Sequence, residues 1–171
     1  MHIPDFLFGY SSIGVPISII FWIIALVFIV LAIKWARENL DESKIPILAV
    51  ITAGIFALQA FNLPTGFCVS GHLVGGALAA IVLCSPFAAV FVLAIVLVIQ
   101  ALCFGDGGVL ALGANITNMG VVAGLVGFYL FAALKEKIGV PISAAVTGWI
   151  ACVIAATVCT VDIAIIGAVP I

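Results

Sequence analysis

Long uninterrupted apolar runs, joined by short polar or glycine-rich connections, set the pattern of this chain. The first covers residues 13–33 and is closed by the charged segment KWARENLDESK at 34–44. A second covers 45–61, with Pro46 tolerable in a first helical turn. NLPTGFCVSG at 62–71 is too rich in turn formers to span anything. A third run, 72–84, is only 13 residues long before Ser85-Pro86 punctuate it. The fourth, 86–104, gives way to GDGGVLALGANITNMG at 105–120, with five glycines and two asparagines. The fifth, 119–134, stops at Lys135, Glu136 and Lys137, and the sixth, 144–169, contains Asp162.

Barrel strands would alternate polar and apolar residues; these runs do not. The pattern therefore predicts an all-α, polytopic transmembrane bundle of about six spans, forming one domain over residues 1–171. An ordinary span needs roughly 20 residues to cross ~30 Å of hydrocarbon. The third run falls short, which predicts a tilted helix or a preceding segment that dips back into the membrane. Non-helical backbone at that depth must be buried in protein or line a cavity. Composition agrees: 67% of residues are hydrophobic, five are basic, seven are acidic, and the mean hydropathy is +1.52. Soluble proteins carry roughly 25% charged residues, and this chain has 7%.

Charge placement adds a topology. All the basic residues lie in two connections, 34–44 and 135–137. With six spans these connections share one side, and basic loops favour the cytoplasm. The N-terminus, the 62–71 and 105–118 loops and the C-terminus are then expected outside. The net charge of −2 and the scattered basic residues exclude a nucleic-acid surface. The opening MHIPDFLFGYSSIG lacks a basic region before an apolar one and is not expected to be a signal peptide. Five cysteines without a CxxC pair read as small buried hydrophobes, with Cys68 set apart in a polar loop.

The three irregular outer segments hold both histidines. An unmodified Met1-His2 start offers a terminal amine, an amide nitrogen and an imidazole in one local chelate, and His72 could add a fourth nitrogen. Four nitrogens in a plane suit Ni²⁺ or Cu²⁺, whereas Zn²⁺ prefers a tetrahedron. The alternative leaves His2 as a frayed terminal residue and His72 as a helix-end hydrogen bonder. Asp5 either orients a metal-bound imidazole or caps a short N-terminal turn. Asp106 is a turn residue or compensates a nearby positive centre. Asn115 and Asn118 either satisfy buried backbone groups or approach a ligand, and Ser70 sits in the same outer region. Asp162, in the outer half of the last span, either faces protein or a cavity, as intramembrane acids usually do, or lies solvated near the interface. Gln59 and Gln100 read as interhelical hydrogen bonders. Trp22 sits too deep in its run for obvious interface anchoring. No paired-carboxylate site, nucleophile elbow, HExxH or P-loop emerges, so no enzyme is expected.

Three blocks, MHIPD at 1–5, SGHLVGG at 70–76 and QALCFGDGGVLALGANITNMG at 100–120, resemble the CbiM/NikM family. Its members are the substrate-specific membrane components of nickel/cobalt energy-coupling factor (ECF) transporters, and the resemblance covers essentially the whole chain. It implies that the Met1 amine, the His2 amide and imidazole and the His72 imidazole hold Ni²⁺ or Co²⁺ in near-planar geometry. The 105–118 loop would close around the ion, and no organic cofactor is implied. The implied partners are a transmembrane coupling protein, cytoplasmic ATPases and a small accessory membrane subunit, with docking near 34–44 and 135–137. The implied location is the cytoplasmic membrane of a prokaryote.

Two departures from the family pattern stand out. Asp5 is followed by Phe6 rather than glycine. Longer members continue past the sixth span into a helix carrying a His/Glu motif. In-plane nitrogen ligation leans toward Ni²⁺, with Co²⁺ for cobalamin synthesis as the alternative. A subunit binding a small organic molecule, or a purely structural subunit, is the reading in which the histidines have no ligand role.

Overall fold

A computed structural model describes residues 2–64 and 70–167, together with the side chains of all of these except Tyr10, Pro64 and Ser70. Its order is α1 (Asp5–Tyr10), α2 (Gly14–Asn39), α3 (Ile45–Gln59), β1 (Leu63–Pro64), β2 (Ser70–Gly71), α4 (Gly76–Val82), α5 (Pro86–Cys103), α6 (Val109–Asn115), a π-helical stretch (Ile116–Val122), α7 (Ala123–Ile138) and α8 (Val140–Ile166). β1 and β2 pair antiparallel, Leu63 opposite Gly71. The architecture is the expected all-α bundle.

The span count is not the expected six. Among the described residues, four helices are long and apolar enough to cross a membrane: Gly14–Asn39, Pro86–Cys103, Val109–Ile138 and Val140–Ile166. The second run forms a 15-residue helix ending at Gln59. The third yields only the seven residues of α4, because the chain ahead of Gly75 is not helical and Gly75, at φ +80°, opens the helix from the left-handed region. The third run is therefore not one continuous helix: non-helical backbone leads into a single short one. The Gln59 side chain donates to the Val74 carbonyl at 2.8 Å, supplying a partner that a helix would otherwise provide.

The largest correction concerns 105–118, which is a loop only as far as Gly108. From Val109 the chain is helical, and the fifth span is a 30-residue helix that starts ten residues before the expected 119. Glycine and asparagine give this stretch a loop-like composition, but here they serve helix contact. A Cβ at Gly113 would fall 2.7 Å from the Trp22 nitrogen, so α2 and α6 meet backbone to backbone. Ser18 donates to the Leu110 carbonyl at 2.6 Å and Trp22 Nε1 to the Val109 carbonyl at 3.0 Å. Trp22 thus bonds to α6 from within its span.

Packing is by small residues inside and large ones outside. α2 buries Gly14, Ser18, Ala25, Ala32 and Ala36, while Ile19, Ile20, Ile23, Val27 and Val30 are exposed. α8 buries Ser143, Thr147, Ala151, Ala155 and Cys159 at intervals of four, one face of a helix. Hydrocarbon solvates the outward Ile and Val as well as protein would, so close backbone approach drives the association. Cys84 and Cys103 are exposed, which corrects the expectation of uniformly buried cysteines, and Cys68 lies outside the described residues.

Candidate functional site

The N-terminal segment is inserted into the bundle. Ile3, Leu7 and Phe8 pack with Ala111, Ala114, Cys159, Ile163 and Ile166. Three such side chains are worth about 1.5–3 kcal/mol apiece when removed from water, enough to hold a short segment against fraying. Asn115 then fixes its register: the Ile3 N–H donates to Asn115 Oδ1 at 2.8 Å, and Asn115 Nδ2 donates to the Ile3 carbonyl at 3.1 Å. One side chain thus presents the donor and acceptor of a strand partner. Asp5 caps a helix other than its own, since Oδ1 accepts the Ala111 N–H at 2.7 Å near the start of α6. Gly108, at φ +81°, passes so close to Asp5 that a Cβ would collide with the carboxylate.

These contacts place His2, only 3% exposed, with its ring centroid 4.6 Å from that of His72. His2 Nδ1 lies 3.1 Å from Asp106 Oδ2, though neither His2 ring nitrogen has a hydrogen bond of good alignment. That contact, foremost among several, holds the Asp106 carboxyl down at about 2. Asn62 Nδ2 also donates to Asp106 Oδ2 at 3.0 Å. His72, in the loop ahead of α4, is pushed down to about 3, chiefly by burial, so it is a neutral imidazole at physiological pH. Its Nδ1 lies 2.7 Å from its neighbour's carbonyl, Leu73 O. With the proton there, the ring's lone pair is on Nε2, the form a metal ligand requires.

His2, His72, Asp5, Asp106 and Asn115 therefore share one end of the bundle. Asn118 does not join them through any described contact. It donates instead to Asp162 Oδ2 at 2.7 Å. Asp162 is 5% exposed, buried among helices rather than solvated at an interface. Met1 and the Ser70 side chain lie outside the described residues. Among the described residues, no three His, Cys, Asp or Glu side chains are grouped to hold an ion. The sequence reading missed the Ile3–Asn115 pairing and the cross-helix cap by Asp5. Satisfying backbone groups is one of the two roles the sequence leaves to Asn115, but only the fold brings Ile3 to it.

Known proteins resemble this arrangement over nearly the whole chain. The profile of CbiM, the cobalt uptake substrate-specific transmembrane region, matches residues 2–170. A protein of Methanocaldococcus jannaschii with a provisional metal-transport name is 40% identical over 158 residues, covering 92% of this chain and 68% of its own. A provisionally named fused nickel transport protein of Archaeoglobus fulgidus is 38% identical over 165 residues, covering 96% of this chain and 52% of its own. The crystal structure of a truncated transition-metal transporter superposes with a TM-score of 0.85 at 33% identity, covering 95% of this chain and 74% of that one. The family's members are transport proteins rather than enzymes. With a profile match that runs almost end to end, this chain belongs to the CbiM/NikM family, as a multi-pass membrane component of transition-metal transport.

Proposed function

We propose that the chain captures Ni²⁺ from outside the cell and passes it inward as the substrate-binding component of an ATP-driven ECF transporter. The ligands are the Met1 amine, the His2 amide and imidazole, and the His72 imidazole. The observation that carries this reading is His2: a buried imidazole whose two nitrogens have no aligned hydrogen bond, held against a second imidazole. Nδ1 at least faces the Asp106 carboxylate, but Nε2 has no hydrogen-bond partner among the described residues; leaving a buried polar nitrogen unsatisfied is costly, and a metal ion would meet that need. His72 remains neutral, and the Asp106 carboxylate supplies a negative charge beside a cationic guest. Asn115 and Asp5 position the segment that bears His2.

Nickel is preferred because four nitrogens in a plane match its tetragonal ligation. The cobalt in the family's description supports Co²⁺ as the second reading, with the same nitrogens and added axial groups. Nucleotide hydrolysis falls to partner ATPases reached through a transmembrane coupling protein, with a small accessory membrane subunit completing the assembly. The basic segments 34–44 and 135–137 face the cytoplasm in this reading, which puts His2 and His72 outside.

The test is titration calorimetry of Ni²⁺ and Co²⁺ into the full chain in detergent, beside His72→Ala. Saturable one-to-one binding of Ni²⁺, tighter than Co²⁺ and lost in the variant, is expected. Unchanged affinity and stoichiometry in His72→Ala would remove His72 from the ligand set. Absence of binding by the native chain would favour a structural subunit or an organic ligand.

A further inference from the structure

A half-open cavity of about 370 Å³ lies on the far side of Asp106 from His2, its mainly apolar lining of Phe56, Ala60 and Phe104 interrupted by Asn62, Gln100 and Asp106. Gln100 is 3% exposed, yet its Oε1 accepts no hydrogen bond among the described residues. Asp106 uses Oδ2 for both His2 and Asn62, and its Oδ1 has no partner among the described residues. Asn62, donating through Nδ2, keeps its Oδ1 as an acceptor. Phe56 and Phe104, in edge contact at 5.5 Å, form an apolar wall that limits dielectric screening of the carboxylate.

Each of the three side chains has an acceptor oxygen to offer beside its other bonds, one of them anionic, and the space exceeds that of a bare ion. Six waters occupy about 180 Å³ at roughly 30 Å³ each, so a hexahydrated dication fits with room to turn. Water bound to a dication presents only O–H donors outward, which match acceptor oxygens. Amide and carboxylate oxygens compete poorly with imidazole for Ni²⁺ or Co²⁺ but bind well to the hydration shell of either. The cavity and the His2 ring share one residue, Asp106.

We propose that this cavity is a waiting station for the still-hydrated divalent cation, held through its water shell by Asn62, Gln100 and Asp106 before its waters are exchanged for the nitrogens at His2. The proposal rests on the metal-capture reading above and adds to it a second, outer-sphere site with its own selectivity: for size and charge, not for ligand type.

Hexaamminecobalt(III) tests it directly. This exchange-inert ion has the shape of a hexahydrated cation and six N–H donor groups, and it offers no open position to an imidazole. Equilibrium dialysis against the full chain in detergent, with cobalt quantified, is expected to give one saturable site in the native protein. The site should persist in His72→Ala and weaken about tenfold in Gln100→Leu, the loss of one hydrogen bond to a charged group. Asn62→Leu is the second variant should Gln100→Leu fail to fold, with the same expectation. No saturable binding by the native chain, or native-strength binding in the folded variants, would overturn the station. If native protein binds Ni²⁺ but not the hexaammine ion, the station alone fails. Hexaammine binding without Ni²⁺ binding refutes the chelate and leaves the station standing.

Discussion

Asn115→Leu isolates what holds the N-terminal segment in place. Leucine keeps the branched shape of asparagine but puts two bulkier methyl groups in place of the amide oxygen and nitrogen, so both hydrogen bonds to Ile3 are lost. Each bond contributes about 1 kcal/mol net, and each buried backbone group left without a partner costs about 1–3 kcal/mol. Ile3 itself is fully buried, so water does not compensate while the segment stays docked. A penalty of about 3 kcal/mol on the docked state follows, equivalent to roughly a hundredfold shift toward release. Hydrogen exchange by mass spectrometry should find residues 2–8 exchanging about a hundredfold faster, with α5 and α8 unchanged. Ni²⁺ affinity should fall in step, since His2 travels with the segment. Native-like exchange at residues 2–8 in a folded Asn115→Leu protein would refute the clamp.

Three further outcomes are expected. Gly108→Ala forces a Cβ into the Asp5 carboxylate at φ +81° and should cost about 1–3 kcal/mol, seen as a lower melting temperature in detergent; an unchanged melt would contradict the close contact. Asp162→Leu strands the buried Asn118 amide and should destabilise by about 1–3 kcal/mol, whereas Asp162→Asn, which can still accept, should cost less; equal losses would argue against the pair. Asp106, lowered from 3.8 to about 2, and His72, lowered from 6.5 to about 3, both bind fewer protons folded than unfolded. Their stabilisation is complete above the ordinary values and lost on acidification, between 6.5 and 3 for His72 and between 3.8 and 2 for Asp106. Thermal melts of Asp106→Asn should therefore lose less between pH 5 and pH 3 than the native protein does, and identical acid sensitivity would contradict that assignment.

The helical membrane class was legible because continuous apolar runs have few other solutions. The span count was less so, for local reasons. Gly107, Gly108, Gly113, Asn115 and Asn118 look like a loop by composition, but the last three work inside a helix. Gly113 admits the backbone of α2, while Asn115 and Asn118 bond to Ile3 and Asp162 across the bundle. Those partners lie 112 and 44 residues away in sequence, a distance at which periodicity carries no information. The third run, at 13 residues, was too short for an ordinary span and left a tilted helix or irregular backbone open; the non-helical stretch around His72 came with the fold. Asp5 and Asp106 each had a structural and a functional reading in the sequence, but their partners, the Ala111 N–H for Asp5 and His2 and Asn62 for Asp106, came only with the fold. Asp162 illustrates the opposite case: an acid in an apolar span can face protein or sit solvated near the interface, and only the fold shows it buried against Asn118.

The central claim is that the chain's own amino terminus, with His2, forms part of the metal chelate. Insertion of one glycine before Met1 displaces the amine while leaving every described side chain in the sequence. Ni²⁺ calorimetry on matched proteins with native and extended termini measures the consequence. The account predicts one-to-one binding by the native terminus and its loss in the extended protein. Binding of equal affinity by both would contradict the terminal chelate.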